Sequence, residues 1–170
     1  MVKLSFVRSI GALWGVGGVV ALLAYAVWRL SHHAFELLEF QLSPALITIL
    51  IMWCVFMIYT EGYQTFGRRF APRIVARAQY IVRHATWPMI ILAPLYCIGY
   101  FGTSKNRMIT SYIVIALIAG MVAAVSFVPQ PWRGIIDAGV ILGLLVGIGY
   151  LLLYTYYALH TREFVADPES

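Results

Sequence analysis

Long apolar runs separated by short polar segments dominate the chain. An α-helix of ~20 residues crosses the ~30 Å hydrocarbon core of a bilayer. In lipid, a helix is also the structure in which an isolated segment satisfies its own backbone hydrogen bonds. The pattern therefore predicts an all-α fold: a polytopic transmembrane helix bundle with five spans, forming a single integral membrane domain over residues 1–170. The predicted spans are 9–29, 44–63, 87–105, 108–128 and 135–159.

The first and third runs each leave an alternative open. The first contains Ala24-Tyr25-Ala26, which has the form of a signal-peptide cleavage site. Its apolar run nevertheless exceeds the usual h-region of roughly 7–15 residues, which favours a retained span. The third run carries Pro94 in its middle, where a proline removes one backbone hydrogen bond and kinks a helix. A re-entrant third segment is the alternative, and it would reverse the sidedness of everything downstream.

The polar segments on either side of the second run predict two shorter helices. Ser31–Ser43 is short and amphipathic and is expected in the outer interface. Ser43-Pro44 then predicts a helix start, because it places a hydroxyl N-cap before proline at the first helical position. After this run, Gly67 and Pro72 are expected to bracket a break in the chain.

A basic amphipathic interfacial helix is predicted over residues 72–85. Its polar residues recur at i, i+4, i+7 and i+11, and an apolar stripe lies beside them. Helices of this pattern lie along a membrane surface. The polar stripe contains Arg73, Arg77, Tyr80 and His84, and the apolar stripe contains Ile74, Ala78, Ile81 and Ala85.

Composition supports the membrane class. The chain is 62% hydrophobic and 11% charged, whereas a soluble domain carries about 25% charged residues. The net charge is +5, but the basic residues adjoin the apolar runs and no nucleic-acid-binding pattern accompanies them, so a nucleic-acid partner is not expected. The expected partners are the lipid bilayer itself and, at the basic helix, its anionic headgroups.

The distribution of basic residues predicts an orientation. Five of the twelve Lys and Arg residues lie between the second and third runs, and positive residues resist translocation. We therefore predict five spans with the N-terminus cytoplasmic and the C-terminus outside. This topology places eight basic residues, including Arg133, in the cytoplasm and four outside. It also places His32 and His33 outside. The compact loops and the arginine bias favour a bacterial cytoplasmic (inner) membrane.

Small residues recur every third or fourth position in three of the predicted spans. Such spacing lets another helix approach closely, although glycine is also common in membrane helices generally. The sequence predicts close packing, within the chain or against a partner, along three stripes: Gly11, Gly15 and Gly18; Ala116, Gly120 and Ala124; and Gly139, Gly143 and Gly147.

Glu61 is the sharpest candidate for chemistry, since an acidic residue at the edge of a span is a functional hypothesis by default. Arg68 and Arg69 lie two turns further on and could pair with it if the helix continues. The other interpretation is a structural salt bridge at headgroup level. The candidate polar site therefore comprises Glu61, Arg68, Arg69, Arg73, Arg77 and His84.

Cofactor and metal sites are not expected. None of the four histidines is in the middle of a span, where haem ligation would need them. An outer metal site built from His32, His33, Glu36 and His160 is possible, but no helix-spaced pair supports it. Cys54 and Cys97 lie in apolar runs and are expected to behave as small hydrophobes.

Two functional hypotheses follow. The first is a small non-catalytic membrane protein, a packing or accessory subunit, that assembles with another membrane protein or with itself. The second is a membrane-embedded enzyme or carrier for a lipid-like or other small ligand, with Glu61 and the cytoplasmic arginines as the polar end of its site. The first is favoured, because small-residue stripes lie on three of the predicted helices and no charge is expected in the middle of the membrane. The sequence also contains no GxSxG, P-loop, dinucleotide-binding or zinc motif.

Overall fold

The computed structural model describes residues 2–84, 86–100 and 105–160. All regular structure in these residues is helical, which confirms the all-α prediction. A 3₁₀ turn, Leu37–Glu39, follows the first helix, and a π-helical segment, Ile58–Phe70, joins the second to the third. The helices are α1 Val2–Glu36, α2 Pro44–Met57, α3 Ala71–His84, α4 Trp87–Ile91, α5 Ala93–Ile98, α6 Lys105–Val125 and α7 Trp132–His160.

Three helical stretches of the described chain are long and apolar enough to cross a membrane: Ser9–Glu39, Pro44–His84 and Trp132–His160. The first, second and fifth predicted spans lie within them. The fourth predicted span coincides with most of α6, which is helical but is not among the three. A membrane-spanning bundle is therefore supported, whereas a total of five spans is not shown.

The second span begins where the sequence places its start. Pro44 is the first residue of α2, and the hydroxyl of Ser43 accepts a hydrogen bond from Leu46 N at 3.4 Å. The predicted break after this span is wrong, because α2, the π-helical segment and α3 follow one another without interruption. Gly67 serves close packing instead, since a Cβ there would lie 2.9 Å from the ring of Tyr150. A proline in an α-helix clashes with the carbonyl four residues earlier. The wider turns of the π-helical segment before Pro72 move that carbonyl away from the proline ring, so the helix continues.

The third predicted span is replaced by two short helices. α4 has five residues and α5 has six, and Leu92 (φ −96°, ψ 23°) separates them just before Pro94. At about 1.5 Å per residue, the twelve residues from Trp87 to Ile98 cover about 18 Å, which is less than the ~30 Å core. The two described helices are therefore too short to show a third span, and residues 101–104 of the predicted span lie outside the described residues.

α1 and α7 run antiparallel. At one end of the bundle, Gly134 of α7 packs against Leu37 and the backbone of His33. At the other end, Ser9 of α1 and Ala158 of α7 line one cavity between them. The described start of α1 and the end of α7 therefore lie at the same end of the bundle, which does not support the predicted placement of the two termini on opposite faces. Arg133, predicted on the opposite side from His33, is likewise beside it. This reversal is the one expected for a re-entrant third segment.

The core lies where α1, α3, α5 and α7 meet. Ile74 and Ile81 of α3 are fully buried there, together with Val19, Cys97 and Leu151. The helix predicted over 72–85 is present as α3, but its apolar face is covered by α1 and α7 rather than by lipid. Ala85 lies outside the described residues.

Candidate functional site

A polar cluster joins the end of α1 to the start of α7. We define it as His33 and Glu36 of α1, Gln130 of the preceding loop, and Arg133 and Asp137 of α7. The Gln130 side-chain nitrogen donates to His33 O at 3.1 Å and to Glu36 Oε2 at 2.8 Å. Its side-chain oxygen accepts from Gly134 N at 3.0 Å. One amide therefore caps the start of α7 and ties it to α1 at the same time.

The contact between Arg133 and His33 sets the form of the imidazole. Arg133 Nη2 lies 2.7 Å from His33 Nε2, and because a guanidinium only donates hydrogen bonds, Nε2 must accept. The ring proton of neutral His33 is thus on Nδ1, 3.5 Å from Glu36 Oε2. Glu36 Oε1 also lies 3.4 Å from His32 Nε2. The cluster is a connected set of donors and acceptors.

Asp137 is the buried member of the polar cluster, with 3% of its surface exposed. Its Oδ2 lies 3.9 Å from Arg133 Nε, and neither atom has a hydrogen-bond partner among the described residues. A buried carboxylate is costly unless a counter-ion compensates it. Arg133, one turn earlier on the same helix, supplies that charge and reaches out to His33 at the bundle end.

The sequence interpretation missed Asp137 because it treated 135–159 as a uniformly apolar span. The available signal was an acidic residue near the start of such a run, with an arginine four residues before it on the same helical face. The sequence indicated Glu61 instead, because Glu61 lies beside the densest run of arginines.

The structure does not bring the predicted polar site together. Glu61 is half-buried, and its Cβ faces Gly143 of α7. Arg68, Arg69 and Arg73 are exposed, and no ion pair in the described residues joins Glu61 to Arg68 or Arg69. His84 is exposed as well, with its ring 4.7 Å from that of Tyr80.

Arg77 departs from the predicted polar stripe because it is buried, with 8% of its surface exposed. Its Nη1 donates to Tyr96 O at 3.0 Å, and its guanidinium carbon lies 5.9 Å from the centre of the Tyr96 ring. Gly99 ends α5 in the left-handed region (φ 101°), and a Cβ there would lie 2.8 Å from Arg77 Nη1. Arg77 therefore places its positive charge at the carboxyl end of α5, where it complements the negative end of the helix dipole.

The outer metal set of His32, His33, Glu36 and His160 does not form. His160 is the last residue of α7, at the opposite end of that helix from Arg133, and its Nδ1 lies 3.0 Å from Tyr156 O. Within the described residues, no three His, Cys, Asp or Glu side chains are grouped as metal ligands.

We find no match to the chain among known protein families, curated proteins or solved structures.

Proposed function

We propose that the protein is a non-catalytic membrane subunit that assembles with another transmembrane helix through α6. The observation that supports this proposal is the isolation of α6 within the described chain. The Tyr112 ring lies 5.7 Å from that of Tyr100, but among the contacts that the structure describes, α6 makes no extensive one with another helix. Each of the other long helices packs extensively on at least one neighbour: α1, α3 and α7 pack on one another, and α2 packs on α7.

The small-residue stripes indicate which helix is available for a partner. Gly15 of α1 meets Cys97, and Gly147 of α7 meets the ring of Phe66, so these two stripes already have neighbours inside the chain. Gly11, Gly18, Gly139 and Gly143 also have close neighbours. On α6, by contrast, a Cβ added to Gly120 would meet no described atom within 4 Å, and Ala116 and Ala124 are exposed. A stripe with this spacing suits close contact with a helix of a second copy or of another subunit.

Gly120→Leu is expected to weaken assembly by about 1–3 kcal/mol, because a large side chain keeps two closely packed helices apart. Gly17→Leu in α1 is the matched control, since Gly17 is exposed and also has no neighbour within 4 Å. The measurement is native mass spectrometry of each variant extracted in mild detergent. A self-assembled wild type identifies a second copy as the partner, and a co-purified chain identifies a different subunit. Equal assembly of both variants would contradict the proposal.

The topology proposed for this subunit has four crossings and a re-entrant α4–α5 segment, with both ends of the chain cytoplasmic. It places Arg29 and Arg133 outside and the other ten basic residues inside, a stronger bias than the eight against four of five spans. A bacterial cytoplasmic membrane remains the proposed location.

Fusion reporters are expected to distinguish the two topologies. Alkaline phosphatase, which is active only outside the cytoplasm, should be active when joined after Phe40 or after Trp132. A fluorescent protein that folds only in the cytoplasm should fluoresce when joined after His160. The five-span topology requires the opposite result at Trp132 and at His160, and the Phe40 fusion is the control because both topologies place it outside.

The alternative of an enzyme or carrier centred on Glu61 has less support. Its carboxylate is paired with neither Arg68 nor Arg69 in the described chain, and its Cβ is packed against Gly143. These contacts favour a structural role for Glu61 in holding the π-helical segment against α7.

A further inference from the structure

A cavity of about 410 Å³ lies between α1, α3 and α7. This volume is within the roughly 300–1,000 Å³ typical of small-molecule sites. Its inner wall is apolar and includes Val16 of α1, Val75 and Ala78 of α3, and Ala158 of α7. The cavity lies at the end of the bundle where α1 begins and where α3 and α7 end.

Polarity changes along the cavity. Arg83 is the penultimate residue of α3, and with Ser9 of α1 it lies at the outer end of the lining. Val16 and Val75 lie two turns deeper on the same helices. Thr155 also lines the cavity, but its hydroxyl donates to Leu151 O at 2.6 Å within its own helix. Gln79 lines the cavity between Arg83 and Val75, so the lining changes from a polar outer end to a mainly apolar interior, which matches an amphiphile.

The rim indicates where such an amphiphile would come from. Leu13, Val82 and Leu159 line the cavity and are exposed, with 57%, 38% and 72% of their surfaces accessible. Because these side chains belong to helices long and apolar enough to cross a membrane, the rim continues the surface that would face lipid. In a bilayer, this rim would lie against acyl chains.

We propose that this cavity binds one acyl chain of an anionic phospholipid from the surrounding bilayer, with the phosphate at Arg83. The charge of the lining supports an anion, since none of the described lining residues is acidic and Arg83 is cationic. A guanidinium forms charge-assisted, bidentate hydrogen bonds with phosphate. The site is separate from α6 and goes beyond the proposed assembly function.

The test uses the full chain reconstituted in vesicles of equal parts phosphatidylcholine and phosphatidylglycerol. After extraction in mild detergent, native mass spectrometry counts the lipids that remain bound. The wild type is expected to retain one phosphatidylglycerol in preference to phosphatidylcholine. Arg83→Gln should reduce that retention about tenfold, as expected for loss of a charge-assisted hydrogen bond. Arg73→Gln is the matched control, because Arg73 is an exposed arginine of the same helix that does not line the cavity.

A second variant tests the apolar part of the site. Val82→Trp should fill the cavity from its rim and abolish retention of either lipid, while the exposed position of Val82 leaves the core intact. Unchanged retention in Val82→Trp, equal effects of Arg83→Gln and Arg73→Gln, or no preference for phosphatidylglycerol in the wild type would each overturn the proposal. A bound free fatty acid would overturn the phospholipid as the source. Because Gly120→Leu leaves the cavity untouched, failure of the assembly proposal would be seen separately.

Discussion

Arg133→Met is expected to destabilise the bundle by about 2–3 kcal/mol, because it leaves the Asp137 carboxylate buried without its cation. Removing one member of a fully buried ion pair costs about 3–5 kcal/mol. The Arg133 side chain is 25% exposed, so the smaller value is appropriate here. The substitution also removes the hydrogen bond from Arg133 to His33, which connects α7 to α1.

A double-mutant cycle separates the ion pair from the simple loss of packing. Arg133→Met combined with Asp137→Leu should recover most of the lost stability, because replacing both charges by apolar groups of similar size is often neutral. Arg29→Met is the control, since Arg29 is an exposed arginine of α1. The measurement is the free energy of unfolding in mixed detergent micelles titrated with SDS. If Arg133→Met is as stable as Arg29→Met, the pairing does not contribute.

Local signals in the sequence predicted the features that depend on neighbouring residues. The N-cap at Ser43, the start of α2 at Pro44 and the helix around Ile74–Ile81 follow from hydroxyl capping, proline preference and apolar periodicity. Each of these involves contacts within a few residues along the chain. The structure therefore agrees with the sequence at these positions almost residue by residue.

The features that the sequence missed depend on contacts between distant helices. A glycine such as Gly67 is typical of a break in a helix, but Tyr150 of α7 packs against it and the helix continues. The spacing of the polar residues predicts that Arg77 is exposed, but its side chain donates a hydrogen bond to the carboxyl end of α5 instead. The side of the bundle on which Arg133 lies depends on whether residues 87–98 cross, which their length alone left open.

Glu61 and Asp137 show the same limit for the candidate site. Both are acidic residues at the edge of an apolar run. From the sequence alone, they can be compared as candidate functional residues only by the residues next to them in the chain. The environment of Asp137 also depends on His33, which contacts Arg133 and is about a hundred residues away in sequence. With 3% of its surface exposed, Asp137 is a buried charge that the fold must compensate.

Gly143→Leu is expected to cause the largest disruption of the helix bundle, with a loss of about 3 kcal/mol or more, at the upper end of the range for overpacking. A Cβ at position 143 would lie 3.1 Å from Glu61 Cβ and 3.4 Å from Met57 O. These atoms belong to the backbone or are fixed directly to it, so they cannot rotate away from a larger side chain. On the facing segment, a Cβ at Gly62 would lie 2.9 Å from Val146 Cβ, so the helices are close on both sides.

Gly149→Leu is the matched control for Gly143→Leu. It lies on the same helix, is exposed, and has no described atom within 4 Å of an added Cβ. Leucine favours a helix over glycine by up to about 1 kcal/mol, so Gly149→Leu should leave stability unchanged or raise it. Gly143→Leu should therefore unfold at a lower SDS fraction than the wild type, and Gly149→Leu at the same fraction or a higher one. If Gly143→Leu unfolds at the same SDS fraction as Gly149→Leu, close contact between α7 and the π-helical segment does not hold this bundle together.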